Sequence, residues 1–281
     1  MKIFKHIAPL KEFLKELRLK GKTIGLVPTM GALHKGHLAL IKASQKENSH
    51  TVCSIFVNPA QFNNPADLRQ YPRTMDRDTE LLKEVQCDIL FCPDNHEIYP
   101  VQPAVHLDFG NLDKVMEGEF RPGHFSGVGI VVAKLVHIVE PDRAYFGQKD
   151  WQQFAIIKQL VEQLNFNLKL YSIPTLREPD GLALSSRNLR LSSDLRPLAP
   201  VFFKALTQAR EKLKAGEKIH DIKKFVREMV EERPGVKLEY FEVADSQNLK
   251  ILENVNGASR PILCVAGTVG EIRLIDNLFL D

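Results

Sequence analysis

The sequence predicts an α/β protein: a Rossmann-like, doubly wound parallel sheet followed by a second, smaller α+β domain. As far as about residue 173, apolar β-branched runs alternate with stretches of helical periodicity, which is typical of strand–helix–strand units. Pro174 begins a turn-rich stretch, after which two amphipathic helices precede three consecutive short strands. This change of pattern places the boundary near residue 175, between a domain over 1–175 and a lid domain over 176–281.

The elements of the first domain follow from local periodicity. Leu10, Leu14 and Leu17 lie on one face of a helix that ends at Gly21. Beyond it the pattern predicts strands at 23–27, 51–57, 88–91, 143–146 and 168–173, helices at 38–46, 76–85, 126–139 and 151–164, and a connection that reaches an extended run at 105–109. The polar, proline-bearing segment 58–73 is predicted to be irregular and to shape a pocket.

The second domain has a different order of elements. The turn Glu-Pro-Asp-Gly at 178–181 is a strong break signal. After it the sequence predicts helices over about 193–215 and 219–233, then strands near 237–244, 261–266 and 271–275. Helices followed by consecutive strands are typical of an α+β unit.

Composition excludes two classes of partner. The formal charge of +3 is the small difference between 38 basic and 35 acidic side chains, and no basic run could follow a nucleic-acid backbone. No window approaches the roughly 20 apolar residues of a membrane helix, and residues 1–20 carry charge where a signal peptide is uninterrupted and apolar. We therefore expect neither nucleic acid nor a membrane as a partner.

The cysteines indicate the redox environment. Cys53, Cys87, Cys92 and Cys264 show no metal-binding spacing, and three of them lie inside or beside predicted apolar strands. Reduced, buried thiols are the better interpretation, which favours a cytoplasmic location.

Two histidines lie three residues apart where a predicted strand gives way to a helix. The segment 27–37 reads Val-Pro-Thr-Met-Gly-Ala-Leu-His-Lys-Gly-His. In a strand–helix–strand unit the helix directs unpaired N–H groups and its positive dipole end at the carboxyl edge of the sheet. His34 and His37 can face one anion together there, being at i and i+3. The alternative is that one or both histidines only cap or pack at the helix start.

The residues around the histidines favour an anion site. Gly31 and Gly36 let the backbone approach a ligand closely, and Lys35 adds positive charge. A dinucleotide Gly-x-Gly-x-x-Gly fingerprint is missing. The two glycines have the spacing of a P-loop, but His37 and Leu38 occupy the positions where that motif needs Lys and Ser or Thr. The pattern therefore indicates a nucleotide site of a different kind.

The His-x-Gly-His motif resembles the signature of the nucleotidylyl-transferase and class I aminoacyl-tRNA synthetase superfamily. Further segments narrow the resemblance to the pantothenate synthetase (pantoate–β-alanine ligase) family, and they occur in the family's order between about residues 23 and 190. The matching segments are Val-Pro-Thr-Met-Gly at 27–31, Phe-Val-Asn-Pro-Ala-Gln-Phe at 56–62, Tyr-Pro-Arg-Thr at 71–74, Phe-Gly-Gln-Lys-Asp-Trp-Gln-Gln at 146–153 and Leu-Ser-Ser-Arg-Asn at 184–188.

The resemblance implies an AMP-forming ligase. Such an enzyme uses ATP to condense pantoate with β-alanine to pantothenate, through a pantoyl adenylate, and releases AMP and pyrophosphate. It implies ATP as a substrate, Mg²⁺ as a cofactor, pantoate and β-alanine as small-molecule partners, and a homodimer.

The resemblance also implies an ATP site built from separate parts of the chain. Four of its residues, His34, His37, Lys149 and Arg187, are expected to be catalytic because they can stabilise charge on the phosphates. The expected ATP-binding residues are Met30, Gly31, Ala32, Leu33, His34, Lys35, Gly36 and His37, then Gly147, Gln148, Lys149 and Asp150, and finally Leu176, Leu184, Ser185, Ser186 and Arg187.

Two of these segments have structural alternatives. Lys149 and Asp150 could form an exposed loop before a helix, where aspartate caps well. The segment 185–187 could be an ordinary turn; in the resemblance it is the counterpart of the synthetase Lys-Met-Ser-Lys-Ser loop, which closing of the second domain would bring onto the nucleotide. The chain departs from the family at Leu184, where Met is usual, and at Ala60 within Asn-Pro-x-Gln.

For pantoate, the resemblance places Gln61 and Gln153 on the hydroxyl and carboxylate oxygens, since an amide both donates and accepts without adding charge. Pro28 and Met30 are expected to form an apolar wall for the dimethyl group, although either could be strand-end packing. Asn58 is a candidate for guiding the amine, and turn capping beside the following proline is the alternative.

Three further residues have open interpretations. Asp78 is a candidate ligand for Mg²⁺, and a first-turn aspartate favoured by the helix dipole is the alternative. Arg121 and His124 could belong to a mobile flap, but solvated loop charge is the preferred interpretation.

Two other functions are compatible with the histidine motif or the nucleotide site. A nucleotidyltransferase that adenylates a phosphorylated acceptor shares the histidine motif, but it would need extra cations in the acceptor pocket, and Gln61 and Gln153 offer none. A non-catalytic nucleotide-binding regulator would have little reason to retain the full catalytic set.

Overall fold

The computed structural model describes residues 1–281 as a six-stranded parallel sheet with helices, followed by a three-stranded antiparallel sheet. The parallel strands are β1 (Lys2–Phe4), β2 (Ile24–Thr29), β3 (His50–Ile55), β4 (Ile89–Phe91), β5 (Arg143–Gly147) and β6 (Lys169–Ile173). The helices among them are α1 (Ile7–Leu19), α2 (Lys35–Glu47), α3 (Pro65–Gln70), α4 (Met75–Glu84), α5 (Asn95–Ile98), α6 (Glu117–Phe120), α7 (His124–Val139) and α8 (Trp151–Gln163). The C-terminal elements are α9 (Val201–Lys214), α10 (Ile219–Glu231), β7 (Val236–Asp245), β8 (Pro261–Val269) and β9 (Ile272–Phe279).

The strand order explains where a ligand can bind. The order is β1-β4-β3-β2-β5-β6, and every pairing in this sheet is parallel. From β2 the chain builds outward through β3 and β4, then returns to the other side of β2 with β5. Connections on the two sides of this switch point leave in opposite directions, so a crevice opens at the carboxyl ends of β2 and β5. This architecture confirms the predicted fold class.

Apolar burial holds the layers together. Leu10, Leu14 and Leu17 of α1 are buried, as their spacing predicts. Leu26 of β2 and Val52 of β3 are fully buried on one face of the sheet, and Val27 and Cys53 of the same strands are fully buried on the other. Each such side chain contributes about 1.5–3 kcal/mol to folding. None of the helices combines the length and the apolar character that a membrane span requires.

The antiparallel sheet buries both of its faces. Successive strand residues point to opposite faces, and on β7 Phe241 and Val243 pack against α9 and α10. Tyr240 and Ala244 of the same strand, with Phe279 of β9, join the core of the parallel-sheet unit. The second sheet is therefore a shared wall between two apolar cores.

Several predicted elements differ from the structure. Strand β1 was not predicted, because it has only three residues and lies at the sheet edge. The segment 58–73 is not irregular, since it contains a 3₁₀ helix at Pro59–Gln61 and α3. The run 105–109 forms no strand, because Leu107 donates its N–H to Ser126 Oγ (2.9 Å) in place of a ladder partner. Helix α9 begins eight residues later than predicted. Residues 196–198 form a short 3₁₀ turn instead, and Pro200 lies directly before the helix.

Helix α7 approaches the Pro59–Gln61 turn so closely that only glycine fits. A Cβ on Gly127 would lie 2.1 Å from the carbonyl oxygen of Ala60 and 2.7 Å from the backbone nitrogen of Gln61. Asn58 donates to the Gly127 carbonyl oxygen (3.1 Å) across the same contact. Gly127 thus sets the distance between α7 and the turn that carries Gln61.

We expect Gly127→Ala to lower the free energy of unfolding by about 1–3 kcal/mol, because the helix must move away from backbone atoms that cannot rotate. Urea titration followed by circular dichroism measures this change. Gly147→Ala is the matched control, since a Cβ there meets no atom within 4 Å and φ is −78°. Equal stability of the two variants would contradict the packing argument.

Candidate functional site

A cleft opens at the carboxyl edge of the parallel sheet, in the crevice between β2 and β5. Most of the residues predicted to bind ligands line this cleft, although they come from several separate parts of the chain. They are Pro28, Met30, His34, Gly36, His37, Asn58, Gln61, Gly147, Lys149, Asp150, Gln153, Leu176, Leu184, Ser185, Ser186 and Arg187.

Five of the predicted ATP-binding residues do not line the cleft. Gly31 adopts φ +81° at the turn after β2, and the adjoining Ala32 and Leu33 are buried. Lys35 is exposed on the first turn of α2, outside the cleft. Gln148 directs its carbonyl oxygen to Asn277 Nδ2 (3.0 Å). These positions shape the backbone around the cleft and do not present side chains to it.

Asp78 holds the turn that precedes the histidines. Its carboxylate is buried and accepts hydrogen bonds from the backbone N–H groups of Ala32 (2.9 Å) and Leu33 (2.8 Å) and from Thr74 Oγ1 (3.1 Å). Both oxygens are therefore occupied by protein donors. This bonding favours a structural role for Asp78, whose carboxylate replaces the missing backbone partners of the turn.

The two histidines cap α2 and leave one nitrogen each for a ligand. His34 Nδ1 accepts from the Gly36 N–H (3.1 Å), and His37 Nδ1 accepts from the His34 N–H (3.3 Å). The rings lie 4.0 Å apart between centroids. Because each Nδ1 is an acceptor, the proton of a neutral ring is on Nε2. Both histidines therefore do cap the helix, and this capping fixes the tautomer of each ring.

Both rings are neutral at pH 7 in the free protein. Burial, followed by the charge of Lys149, lowers the pKa of His34 to about 4. Burial, followed by His34 and Lys149, lowers the pKa of His37 well below its ordinary value. The histidines therefore offer N–H donors, while the positive charge in the cleft belongs to Lys149 and Arg187.

The C-terminal sheet positions Lys149. Asn277 of β9 donates from Nδ2 to the carbonyl oxygens of Lys149 (2.7 Å) and Gln148 (3.0 Å). The Lys149 side chain is largely buried, with Nζ 3.9 Å from Asp150 Oδ1. Lys149 and Asp150 consequently form a fixed turn at the cleft, in contrast to the exposed-loop alternative. Asn277 carried no signal in the sequence.

The Leu184–Asn188 segment is docked on the histidine turn. Ser186 Oγ donates to the carbonyl oxygen of Ala32 (3.0 Å), and Ser185 Oγ accepts from the Arg187 N–H (3.3 Å) at the start of a 3₁₀ helix. Arg187 lies at the cleft and donates from Nη2 to Asp67 Oδ2 (2.9 Å). The side chains of this segment therefore reach the same space as His34 and His37.

Gln61 and Gln153 occupy different environments within the cleft. Gln61 is buried, and its Oε1 accepts from Asn58 Nδ2 (3.0 Å) while its Nε2 lies 3.1 Å from Met30 Sδ. Asn58 has its oxygen bonded to Tyr99 and Ala60, so its hydrogen-bonding groups are used within the protein. We assign Asn58 to orienting Gln61. Gln153 is half-buried and its amide bonds to no protein group.

His124 is buried and the Arg121 side chain is only 17% exposed, which corrects the interpretation of solvated loop charge. Arg121 Nη1 donates to His124 Nε2 (3.0 Å), and His124 Nδ1 donates to the carbonyl oxygen of Gln61 (2.8 Å). Burial, followed by the charge of Arg121, lowers the pKa of His124 to about 3. Glu117 links this pair to Arg273 of β9, with Arg273 Nη2 2.6 Å from Glu117 Oε1. The network connects the second sheet to the Gln61 turn.

The sequence interpretation missed one wall of the cleft. The helix α7 supplies apolar side chains there, and its nearly continuous apolar sequence was the available signal. Thr175 Oγ1 is buried at the cleft without a protein partner. The other missed lining residues are Thr29, Leu40, Phe56, Tyr71, Val128, Val131, Val132, Leu135, Phe146, Ile173 and Pro174.

The cleft offers few ligands for a metal ion. No three His, Cys, Asp or Glu side chains are arranged to hold one. Asp150 is the acidic side chain that lines the cleft. A divalent cation here would therefore depend mainly on oxygen ligands brought by the bound molecule.

We expect the His34 ring of the free protein to stay neutral from about pH 8 down to about 5.5, because its pKa is lowered to about 4. The unfolded chain binds that proton near pH 6.5, so the stability that His34 contributes is present above about pH 6.5 and is lost as the pH falls toward 4. Histidine ¹³Cε1 shifts measured by NMR, assigned with His34→Asn, report the pKa. Titration near the ordinary value of 6.5 would contradict the burial argument.

Comparisons with known proteins agree with this geometry. Residues 2–279 match the family model described as pantoate-beta-alanine ligase. The pantothenate synthetase of Aquifex aeolicus is 48% identical over 277 residues, which are 98% of this chain and 97% of that protein. The pantothenate synthetase of Cytophaga hutchinsonii is 44% identical over 275 residues, again 98% and 97% of the two chains.

Solved structures show the same fold. The crystal structure of pantothenate synthetase from Thermus thermophilus has a TM-score of 0.93 and 40% identity, with 100% of this chain and 99% of that chain covered. The pantoate-beta-alanine ligase of Francisella tularensis, complexed with beta-gamma ATP and beta-alanine, has a TM-score of 0.80 and 36% identity, with 100% and 98% covered. With a family model that spans almost the whole chain and relatives alike along their full length, this chain belongs to the pantoate–β-alanine ligase family.

Proposed function

We propose that this chain condenses pantoate with β-alanine to pantothenate, using ATP and releasing AMP and pyrophosphate. The observation that carries the proposal is one cleft in which two Nε2–H donors at a helix start, two cationic side chains and two amide side chains meet beside an apolar wall. The family membership of the chain supports the same reaction.

In the first half-reaction, a carboxylate oxygen of pantoate attacks the α-phosphorus of ATP. The bond from that phosphorus to the β-phosphate oxygen breaks, and its electron pair leaves with pyrophosphate. Charge shifts onto phosphate oxygens, so fixed donors in a partly enclosed site lower the barrier. His34 and His37 supply neutral N–H donors, and Lys149 and Arg187 supply the positive charge.

The pantoate subsite combines apolar and amide groups. Pro28 and Met30 face the cleft together with Val131 and Val132 of α7, an apolar surface suited to a dimethyl group. The free amide of Gln153 can donate to and accept from a neighbouring hydroxyl and carboxylate. This arrangement brings no cation for a phosphorylated acceptor other than those assigned to ATP, which argues against a nucleotidyltransferase.

In the second half-reaction, the amine of β-alanine attacks the acyl carbon of pantoyl adenylate. The bond from that carbon to the AMP oxygen breaks, AMP leaves with the electron pair, and the nitrogen loses a proton to give the amide. A catalytically silent regulator would not need the cationic and amide groups to converge on one space.

Three features complete the proposal. Mg²⁺ arrives with ATP, and Asp150 is the cleft carboxylate available to its water shell. The chain works as a homodimer, which the resemblance to the family implies. The location is cytoplasmic, supported by four free cysteines, three of which are buried.

The reaction products test the proposed function. With ATP, Mg²⁺, pantoate and β-alanine, we expect equal amounts of AMP, pyrophosphate and pantothenate, because adenylate chemistry breaks the bond between the α- and β-phosphates. Ion-exchange chromatography of the nucleotides and mass spectrometry of the amide measure them. Omission of pantoate is the control. ADP formed in proportion to pantothenate would show acyl-phosphate chemistry and contradict the mechanism.

The histidine pair can be tested without losing the helix cap. Asn is a good N-cap residue, so His34→Asn keeps an acceptor for the Gly36 N–H but removes the Nε2–H donor. We expect adenylate formation, measured by rapid quench, to slow by about two to three orders of magnitude. Thermal melts should show His34→Asn close to the parent chain, whereas His34→Ala also loses about 1 kcal/mol of cap stability. A normal adenylation rate in His34→Asn would show that the His34 ring only caps the helix and takes no part in catalysis.

A further inference from the structure

One carboxylate outside the motifs of the resemblance connects α3 to the Ser-Ser-Arg segment. Asp67 Oδ2 accepts from Arg187 Nη2 (2.9 Å), and Asp67 Oδ1 accepts from Arg190 Nη1 (2.9 Å). The carboxylate and both guanidinium groups are mostly buried, with side-chain exposure of 22–26%. Residues that are 120 positions apart in the chain thus share one ion-pair cluster.

The two arginines play different parts in this cluster. Arg190 lies outside the cleft and also donates from Nη2 to Gln70 Oε1 (2.6 Å), so both of its terminal nitrogens are used on α3. Arg187 lies at the cleft, and Asp67 is the only side chain that accepts from its guanidinium. Its Nε and Nη1 donors are therefore available to a ligand in the cleft.

A carboxylate at this place needs a physical explanation. A negative charge beside a phosphate site opposes ATP binding unless the charge is compensated. Arg190 compensates Asp67, and the cluster of two arginines and one aspartate keeps a net positive charge. Without a partner, the long Arg187 side chain would sample many rotamers, and ordering it on ATP would cost conformational entropy.

We infer that Asp67 is a positioning residue for adenylate formation, which holds one edge of the Arg187 guanidinium so that its other donors face the phosphates of ATP. Arg190 keeps the carboxylate paired and in place. The inference rests on the proposed function, in which Arg187 contacts ATP. A purely structural role for Asp67, as a link between α3 and the segment 186–190, is the competing explanation.

A double-mutant cycle separates these explanations. The variants are Asp67→Ala, Arg187→Ala and the double variant, with Arg190→Gln to break the other half of the link. Asp76→Ala is the matched control, because Asp76 is an exposed carboxylate on the first turn of α4. Three quantities are measured for each: pantoate-dependent ATP–pyrophosphate exchange, the Kd of Mg-ATP by calorimetry, and the melting temperature.

If Asp67 acts through Arg187, we expect Asp67→Ala to lower the exchange kcat by about ten- to hundredfold and to have no further effect once Arg187 is Ala. The same lack of additivity should appear in the Kd of Mg-ATP. Arg190→Gln should lower the melting temperature as much as Asp67→Ala does, but it should lower the exchange rate less. Asp76→Ala should match the parent chain.

Two results would overturn the inference: independent, multiplicative effects of Asp67→Ala and Arg187→Ala on the Kd of Mg-ATP, or equal exchange losses in Asp67→Ala and Arg190→Gln that follow their melting temperatures. Failure of the proposed function looks different. In that case the parent chain itself would show no exchange with pantoate, while the cycle in Mg-ATP binding would still decide the role of Asp67.

Discussion

The site depends on one constraint, which is that the chain must turn sharply between β2 and α2 while its backbone N–H groups are out of reach of water. Asp78 meets that constraint by accepting from two consecutive amides of the turn. Gly31 and Ala32 both adopt positive φ, +81° and +49°, a conformation that the carboxylate stabilises. These two buried hydrogen bonds set the direction of α2 and therefore the position of both imidazole rings.

The rest of the cleft is assembled from parts of the chain that are distant in sequence. The histidine turn and α7 belong to the parallel-sheet unit. The second sheet holds the Lys149 turn through Asn277, and Ser186 bonds the segment 184–188 to Ala32. The placement of the cationic side chains at the cleft therefore depends on contacts from both sheets.

The elements that local sequence patterns define could be predicted, whereas the long-range contacts between them could not. The strand and helix around His34 and His37 are contiguous and strongly periodic, so their meeting at a sheet edge follows from the sequence. The partners of Asp78 and Asp67 are backbone amides and arginines far away in the chain, and no spacing rule connects them. Arg121 and His124 looked solvated because a polar loop and a buried ion-pair network have the same composition. The late start of α9 shows that amphipathic spacing alone predicts a helix start too early when a proline lies before the true start.

The shared wall formed by the second sheet has a consequence for turnover. Swinging that sheet away as a rigid body would bring Tyr240, Ala244 and Phe279 into water and would separate Arg273 from Glu117. Exposure of that apolar area costs free energy in proportion to its size. The connection between residues 174 and 191 is tied to the same sheet, since Arg177 pairs with Asp276 of β9 and Leu182 is buried in the second core. A rigid-body swing of the second sheet is therefore a costly route for substrate entry and product release.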